Sequence, residues 1–199
     1  MSVSVRGKSR DSGRSVFTDR FGAFAECLLT GVWIALAALP LVTLPAAFAA
    51  GSRHLSRHLA HETSGWREFT ADLRAAVRRG WLVGLAGWAA LALLLADIAF
   101  VRAGLPGGAF VGAVGVVAFF VLVVAGLRAA ARWSPGSSWR ALLTGAVRRT
   151  LRDPAGSLVI VCGFAVVAAS AWFALPLAAP ALGMVAAAAL AVERRGAGA

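Results

Sequence analysis

Three histidines, His54, His58 and His61, fall in one stretch at spacings of four and three. In a helix that spacing puts the imidazoles on one face, a geometry that can present nitrogens to a metal. No cysteine lies near, Glu62 falls off that face, and Arg53 and Arg57 add positive charge beside it. The stretch therefore reads as the solvated face of a basic amphipathic helix, and no metal site is assigned. Glu26 and Asp97 border long apolar runs. A carboxylate at mid-membrane depth costs about 2.5–3.5 kcal/mol and is a functional candidate by default. Each of these two, however, has an arginine nearby in sequence, Arg20 or Arg102, and structural pairing is the reading adopted. Thr43 lies between Pro40 and Pro45. A helix broken there would free backbone carbonyls beside a hydroxyl, the kind of interruption at which transporters meet their ligands.

Groups for covalent or acid–base chemistry are otherwise scarce. The chain has nine acidic residues, no tyrosine, and neither a glycine-rich phosphate loop nor an HExxH pattern. Neither an enzyme nor a cofactor is expected. Cys27 and Cys162 both lie in apolar stretches and read as buried, inert thiols.

What must position these residues is set by where charge is missing. Residues 27–52, 80–96, 103–127 and 155–192 contain no Asp, Glu, Lys or Arg. About 20 apolar residues in a helix cross a bilayer's hydrocarbon core, because a helix satisfies its own backbone polar groups in lipid. The last stretch is long enough for two passes. With 59% hydrophobic and only 15% charged residues, the chain has no room for a separate soluble domain. The expected fold is all-α, a polytopic membrane helical bundle of about five spans with a proline-broken first element and two interfacial amphipathic helices. The spans are placed near residues 21–50 (broken at 40–45), 80–101, 103–127, 156–174 and 177–192, in a single domain covering 20–195. Residues 1–19 are expected to be a disordered basic tail, and 196–199 a second tail.

Proline removes a backbone donor and clashes with the preceding turn, so the first apolar region stops or kinks near Pro40 and restarts at Pro45. Residues 66–79 (WREFTADLRAAVRR) are too polar to span, but their apolar positions recur at helical spacing, so they are placed in the interface. Residues 139–149 (WRALLTGAVRR) resemble them, with Trp139 and Arg140 standing where Trp66 and Arg67 stand. Each segment precedes a helical hairpin, the pattern of a modest internal repeat. The second hairpin is expected to turn at residues 175–180. Trp81, Trp133 and Trp139 flank spans as an aromatic belt requires, whereas Trp33 and Trp172 read as packing residues.

Net charge is +11, and 19 of the 20 basic residues are arginine. They are confined to the segments between apolar runs, as expected of loops held at an anionic cytoplasmic leaflet and not of a nucleic-acid groove. If the proline-broken region turns back on itself, one side of the membrane holds 19 of the 20 basic residues and the other holds Arg102 alone. That arrangement obeys the retention of positive charge better than five simple passes, although two helices of about 22 Å each fall short of a full crossing.

The run LLTGVWIALAALPLVTLPAAFAA (residues 28–50), with its Leu39-Pro40 break, Thr43 and Pro45-Ala46-Ala47, is followed by a polar segment carrying Trp66 and Phe69 and then by paired spans. This layout resembles the YesL-like family of small bacterial integral membrane proteins, whose biochemical function is unknown. It departs from that family at Leu44, where a glycine is usual. The resemblance implies a multi-pass protein of the bacterial plasma membrane associated with carbohydrate import systems. The expected function is an accessory component of such a system, contacting lipid and transport-system subunits. The alternative is a small stand-alone or dimeric transporter that uses the broken first helix. Pro40, Thr43, Pro45, Trp66, Phe69, Trp139 and Arg140 are the candidate partner or ligand contacts.

Overall fold

The computed structural model describes residues 8–195 apart from 41, 61, 63, 64, 105, 106 and 174, with side chains from residue 21 onward except those of 23, 175 and 176. Among them are seven helices and no strand: α1 (Lys8–Ala37), α2 (Leu44–Leu59), α3 (Trp66–Arg102), α4 (Gly108–Ala131), α5 (Trp139–Arg152), α6 (Pro154–Phe173) and α7 (Leu175–Arg195). The helix expected to begin past a disordered tail starts at Lys8. Extending a helix one residue at a time costs far less than nucleating one, so the apolar helix downstream carries its polar beginning with it. His61, Pro106 and residues 1–7 and 196–199 lie outside the described residues.

The proline break is real and it makes a hairpin. α1 ends at Ala37, residues 38–40, 42 and 43 are turn, and α2 starts at Leu44 with Pro45 in its first turn, where a missing N–H costs nothing. A Cβ on Gly51 would touch Ile34 and Thr30, and His54 of α2 meets Glu26 of α1. The two helices are therefore antiparallel, and the chain returns to the end it left. The apolar part of α1 is only the 14 residues Phe24–Ala37. Four helices, α3, α4, α6 and α7, are long and apolar enough to cross a membrane. The fifth expected span is instead this short hairpin.

α2 is the centre of the bundle and touches α1, α3, α4 and α7. Every residue from Ala46 to Ser52 is buried. Six of those seven are Ala, Gly or Ser, so several helices can approach one axis closely. Around this core, large apolar side chains on the outer helices point away from protein. Leu93 is 66% exposed, Phe110 75% and Trp172 88%. Trp172 is thus a surface residue and not the packing residue its depth suggested. An apolar surface of this extent is untenable in water and natural in lipid.

α3 corrects a second expectation. Residues 66–79 do not form a separate interfacial helix but run without interruption into the apolar span, making one helix of 37 residues. At 1.5 Å per residue that is about 55 Å, well beyond a hydrocarbon core of about 30 Å. Nothing between Arg79 and Leu82 breaks the hydrogen-bond ladder. Gly80 is there because Trp139 packs on it, and a Cβ would lie 2.9 Å from the indole ring. α5, in contrast, is separate, because Asp153-Pro154 ends it and starts α6. The internal similarity therefore covers two helix starts, at Trp66 and Trp139, and ends where one continues and the other stops.

Gly104 and Gly107, at φ +67° and +81°, form the link from α3 to α4, a conformation that side chains with a Cβ resist. The second hairpin is tighter than expected. α6 ends at Phe173 and α7 begins at Leu175, so Pro176 falls in α7's first turn and Pro180 lies inside the helix. A proline that close to the N-terminus forfeits at most one hydrogen bond.

Candidate functional site

Five of the eight charges that flank the apolar runs find one another, while Arg79, Asp97 and Arg102 enter no ion pair among the described residues. Glu26, Arg53, Arg128, Asp153 and Glu193 are each among the first charged residues outside a charge-free stretch, and all of them enter two clusters at one end of the bundle. In the first, His54 is fully buried and its Nε2–H points at Glu26 Oε1, 2.6 Å away. Trp33 packs on the imidazole with ring centroids 4.9 Å apart, and also meets Trp66 and Phe69 at 5.4 Å each. Asp72 of α3, buried, pairs with Arg57 at 2.7 Å and Arg53 at 3.3 Å. α1, α2 and α3 are thereby joined by one histidine–carboxylate contact, two ion pairs and an aromatic stack. His54 is not on a solvated face, as the basic character of its helix suggested. Its helix carries Arg53 and Arg57 toward Asp72 and turns the imidazole inward.

The second cluster joins α4, α5, α6 and α7. The Arg128 side chain is 2% exposed and donates to Asp153 Oδ2 at 2.8 Å and to Glu193 Oε1 at 3.5 Å. Glu193, 3% exposed, is also held by Arg132 at 2.7 Å and Arg149 at 3.1 Å. Asp153 has a second task. Its Oδ1 accepts the Gly156 N–H at 2.9 Å, capping α6 one residue before Pro154, where the sequence order Asp-Pro suits a helix start. That backbone N–H, and after it the Arg128 guanidinium, hold the Asp153 carboxyl below its ordinary range. Burial pushes Arg149's pKa down, with Glu193 opposing. Arg194 donates to Ser56 on α2 at 3.0 Å, so the end of α7 also reaches α2.

The far end is nearly free of charge. Asp97 packs against Gly115 of α4 and enters no ion pair among the described residues, and neither does Arg102. Structural pairing, expected for both acids, holds for Glu26 only.

The seven candidate contact residues separate into three places. Pro40, Thr43 and Pro45 form the α1–α2 turn, where the Thr43 hydroxyl donates to the Ala37 carbonyl at 2.5 Å. This hydroxyl satisfies a carbonyl left over at the end of α1, and so takes up one of the groups that a ligand would need. Beside Pro45 lies a cavity of about 440 Å³ whose walls, from α2 to α6, carry no charged side chain and no polar group but the Trp88 indole. Trp66 and Phe69 belong to the first cluster, with Phe69 fully buried and Trp66 51% exposed. Trp139 is 5% exposed against Gly80, while Arg140 beside it is exposed. Phe69 and Trp139 are therefore internal anchors, Phe69 wholly so and Trp139 with only its edge at the surface. Sequence reasoning missed Arg128, Asp153 and Glu193. Their signal was position, each standing at the edge of a charge-free run, where a charge that cannot reach water must find a partner.

A helical bundle with four long apolar helices, lipid-type outer faces and its charges gathered at one end is a helical membrane protein. Compared with protein families, with curated proteins and with solved structures, the chain matches none.

Proposed function

We propose that this chain is an accessory, non-catalytic component of a membrane assembly, with its arginine-rich end in the cytoplasm. The observation that carries the reading is the division of the bundle's polar groups. Those of the charged end are spent on holding helices together, and the cavity between the spans offers a carbohydrate almost nothing to hydrogen-bond. Partner-facing groups remain on the outside of that same end. Arg140, Thr144, Val147, Arg148 and Leu151 are exposed and share one stripe of α5, and Trp66, Arg67, Arg74 and Arg78 are exposed on the part of α3 that outruns the hydrocarbon core. A stripe mixing arginine with apolar side chains suits a protein surface or an anionic headgroup layer. That the partner is a subunit of a carbohydrate import system follows only from the resemblance carried by residues 28–50, by the segment with Trp66 and Phe69, and by the paired spans after it. The transporter reading draws on the same proline break, and is weakened there by the Thr43 hydroxyl's bond to Ala37.

A photo-crosslinking residue at Arg148 or Arg74 should give a discrete heavier protein adduct in the native cell, whereas one at the lipid-facing Leu93 should not. Absence of an adduct at both sites, together with solute uptake by the purified chain that Thr43→Val abolishes, would replace the accessory reading with the transporter.

Orientation has its own measurement. In a background lacking Cys27 and Cys162, an impermeant thiol reagent applied to intact cells should modify Ala103→Cys and spare Glu68→Cys and Ser137→Cys. The expectation rests on the hairpin, which returns α2 to its starting end and leaves Arg102 as the one arginine at the α3–α4 link. Labelling at Ser137→Cys without lysis inverts the assignment.

A further inference from the structure

We propose that an anionic phospholipid of the surrounding bilayer occupies two joined clefts, its phosphate on Arg79 and Arg140 and one acyl chain in the apolar cavity between α3 and α4. The cavity of about 440 Å³ beside Pro45 does not stand alone. A second cleft of about 650 Å³ lies next to it, and Val83, Ala86 and Leu143 line both. The second cleft is the polar one, with Arg79, Ser137, Ser138 and Arg140 on its wall. The pair thus has the polarity of an amphiphile, a cationic mouth opening into an uncharged interior.

Charge, depth and length all favour a phospholipid. Arg79 and Arg140 are exposed and enter none of the ion pairs among the described residues, unlike Arg53, Arg57, Arg128, Arg132 and Arg149. Trp139 lines the same cleft but is 5% exposed, with the N–H edge of its indole turned onto Gly80, so the cationic groups of the mouth are the two arginines. Ser138 does not cap α5 with its side chain, so first-turn N–H groups and the positive end of the helix dipole add to the attraction for an anion. As to depth, Arg79 is the last charge before the charge-free run 80–96, and Trp139 packs on Gly80, so α5 begins at that level. That is where a headgroup phosphate sits. The apolar cavity then follows α3 from Val83 to Leu91. At 1.5 Å per residue this is about 12 Å, close to the depth of one leaflet of a core about 30 Å thick. Gly87 and Gly126 line it, and a Cβ on either would meet nothing within 4 Å. The space is open at positions where larger side chains would fit.

The test uses the full-length chain in mild detergent, with 1-palmitoyl-2-oleoyl phosphatidylglycerol or phosphatidylcholine added and the retained lipid counted by native mass spectrometry. Wild type should retain phosphatidylglycerol about tenfold better than phosphatidylcholine, and the Arg79→Gln/Arg140→Gln pair should bring that preference within about twofold. Arg74→Gln/Arg78→Gln removes equal charge from the neighbouring surface outside the cleft and should leave the preference intact. Gly126→Leu should fill the cavity and reduce retention of both lipids about tenfold, with Gly87→Leu giving the same reading should the first variant fail to fold. Millimolar inorganic phosphate should not displace the lipid. No headgroup preference in wild type, equal loss from the Arg74/Arg78 pair, or displacement by phosphate alone would each overturn the proposal. The first two would mean annular or diffuse attraction, and the third a simple anion site.

Discussion

Glu193→Ala should destabilise the bundle by about 3 kcal/mol, the low end of what breaking a buried ion pair costs. Steric trapping of the chain in bicelles can measure the difference. Glu193 is the one carboxylate shared by Arg128, Arg132 and Arg149, and its side chain is 3% exposed. Removing it leaves Arg128, itself 2% exposed, with Asp153 as its remaining carboxylate. The low end applies because Arg132 and Arg149, at 35% and 29% side-chain exposure, can turn toward water and recover their hydration. Asp153→Asn should cost less than about 1 kcal/mol, because the Asp153 side chain is half exposed, Glu193 stays beside Arg128, and asparagine caps a helix about as well as aspartate.

The same argument predicts a rescue. Arg128→Met combined with Glu193→Leu removes both buried charges and fills their space with apolar atoms. The double variant should be more stable than the sum of its parts by about 1–3 kcal/mol, the range expected for neighbours in one network. Strict additivity would mean that the two side chains do not sense each other, and the cluster would then be a consequence of packing and not a clamp. The distinction bears on function, since a clamp that fixes α4, α5 and α7 also fixes the exposed stripe of α5 proposed to meet the partner.

Much of this was readable from where charge is missing. Four uncharged runs told of a membrane bundle, and Pro40 with Pro45 told where the first run breaks. That the break makes an antiparallel hairpin was suggested by charge balance, and its geometry rests on contacts such as Gly51 with Ile34. Three features were not readable, for different physical reasons. α3 runs straight through Arg79-Gly80 because helix continuity is decided by the backbone, while polarity reports only depth. His54 is buried because its helix is central, and a central helix with polar residues at its end looks like a surface helix until its neighbours are known. The partners of Arg128 lie 25 and 65 positions away, and no local pattern encodes such a pairing. What sequence could supply was the rule that edge charges seek partners, without saying which.

Gly31→Ala and Gly22→Ala should shift stability in opposite directions, although they make the same change in the same helix. A methyl added in a helix interior ordinarily stabilises by about 0.5–1 kcal/mol, because glycine loses more backbone freedom on folding. At Gly22 the new Cβ meets nothing within 4 Å, so the gain should appear in full. At Gly31 it runs into the carbonyl of Ala179 and lies 2.7 Å from the Gly183 nitrogen, and a Cβ on Gly183 would in turn run into the Cys27 carbonyl and lie 2.9 Å from the Gly31 nitrogen. The obstacles are backbone atoms, which no rotamer change can move, so α1 and α7 must separate. Overpacking of this kind costs about 1–3 kcal/mol and here offsets the propensity gain several-fold. In lipid the loss is felt in van der Waals contact, which is what close small-residue crossings provide where no hydrophobic force draws helices together. Gly183→Ala should reproduce the loss from the other side. The consequence reaches the charged end as well, because α1 carries Glu26 to His54. A thiol pair replacing Glu26 and His54 should crosslink readily in an otherwise cysteine-free chain and poorly once Gly31→Ala is added. If Gly31→Ala instead stabilises like Gly22→Ala, the α1–α7 crossing is looser than the geometry requires, and α1 is held by α2 and α3 instead.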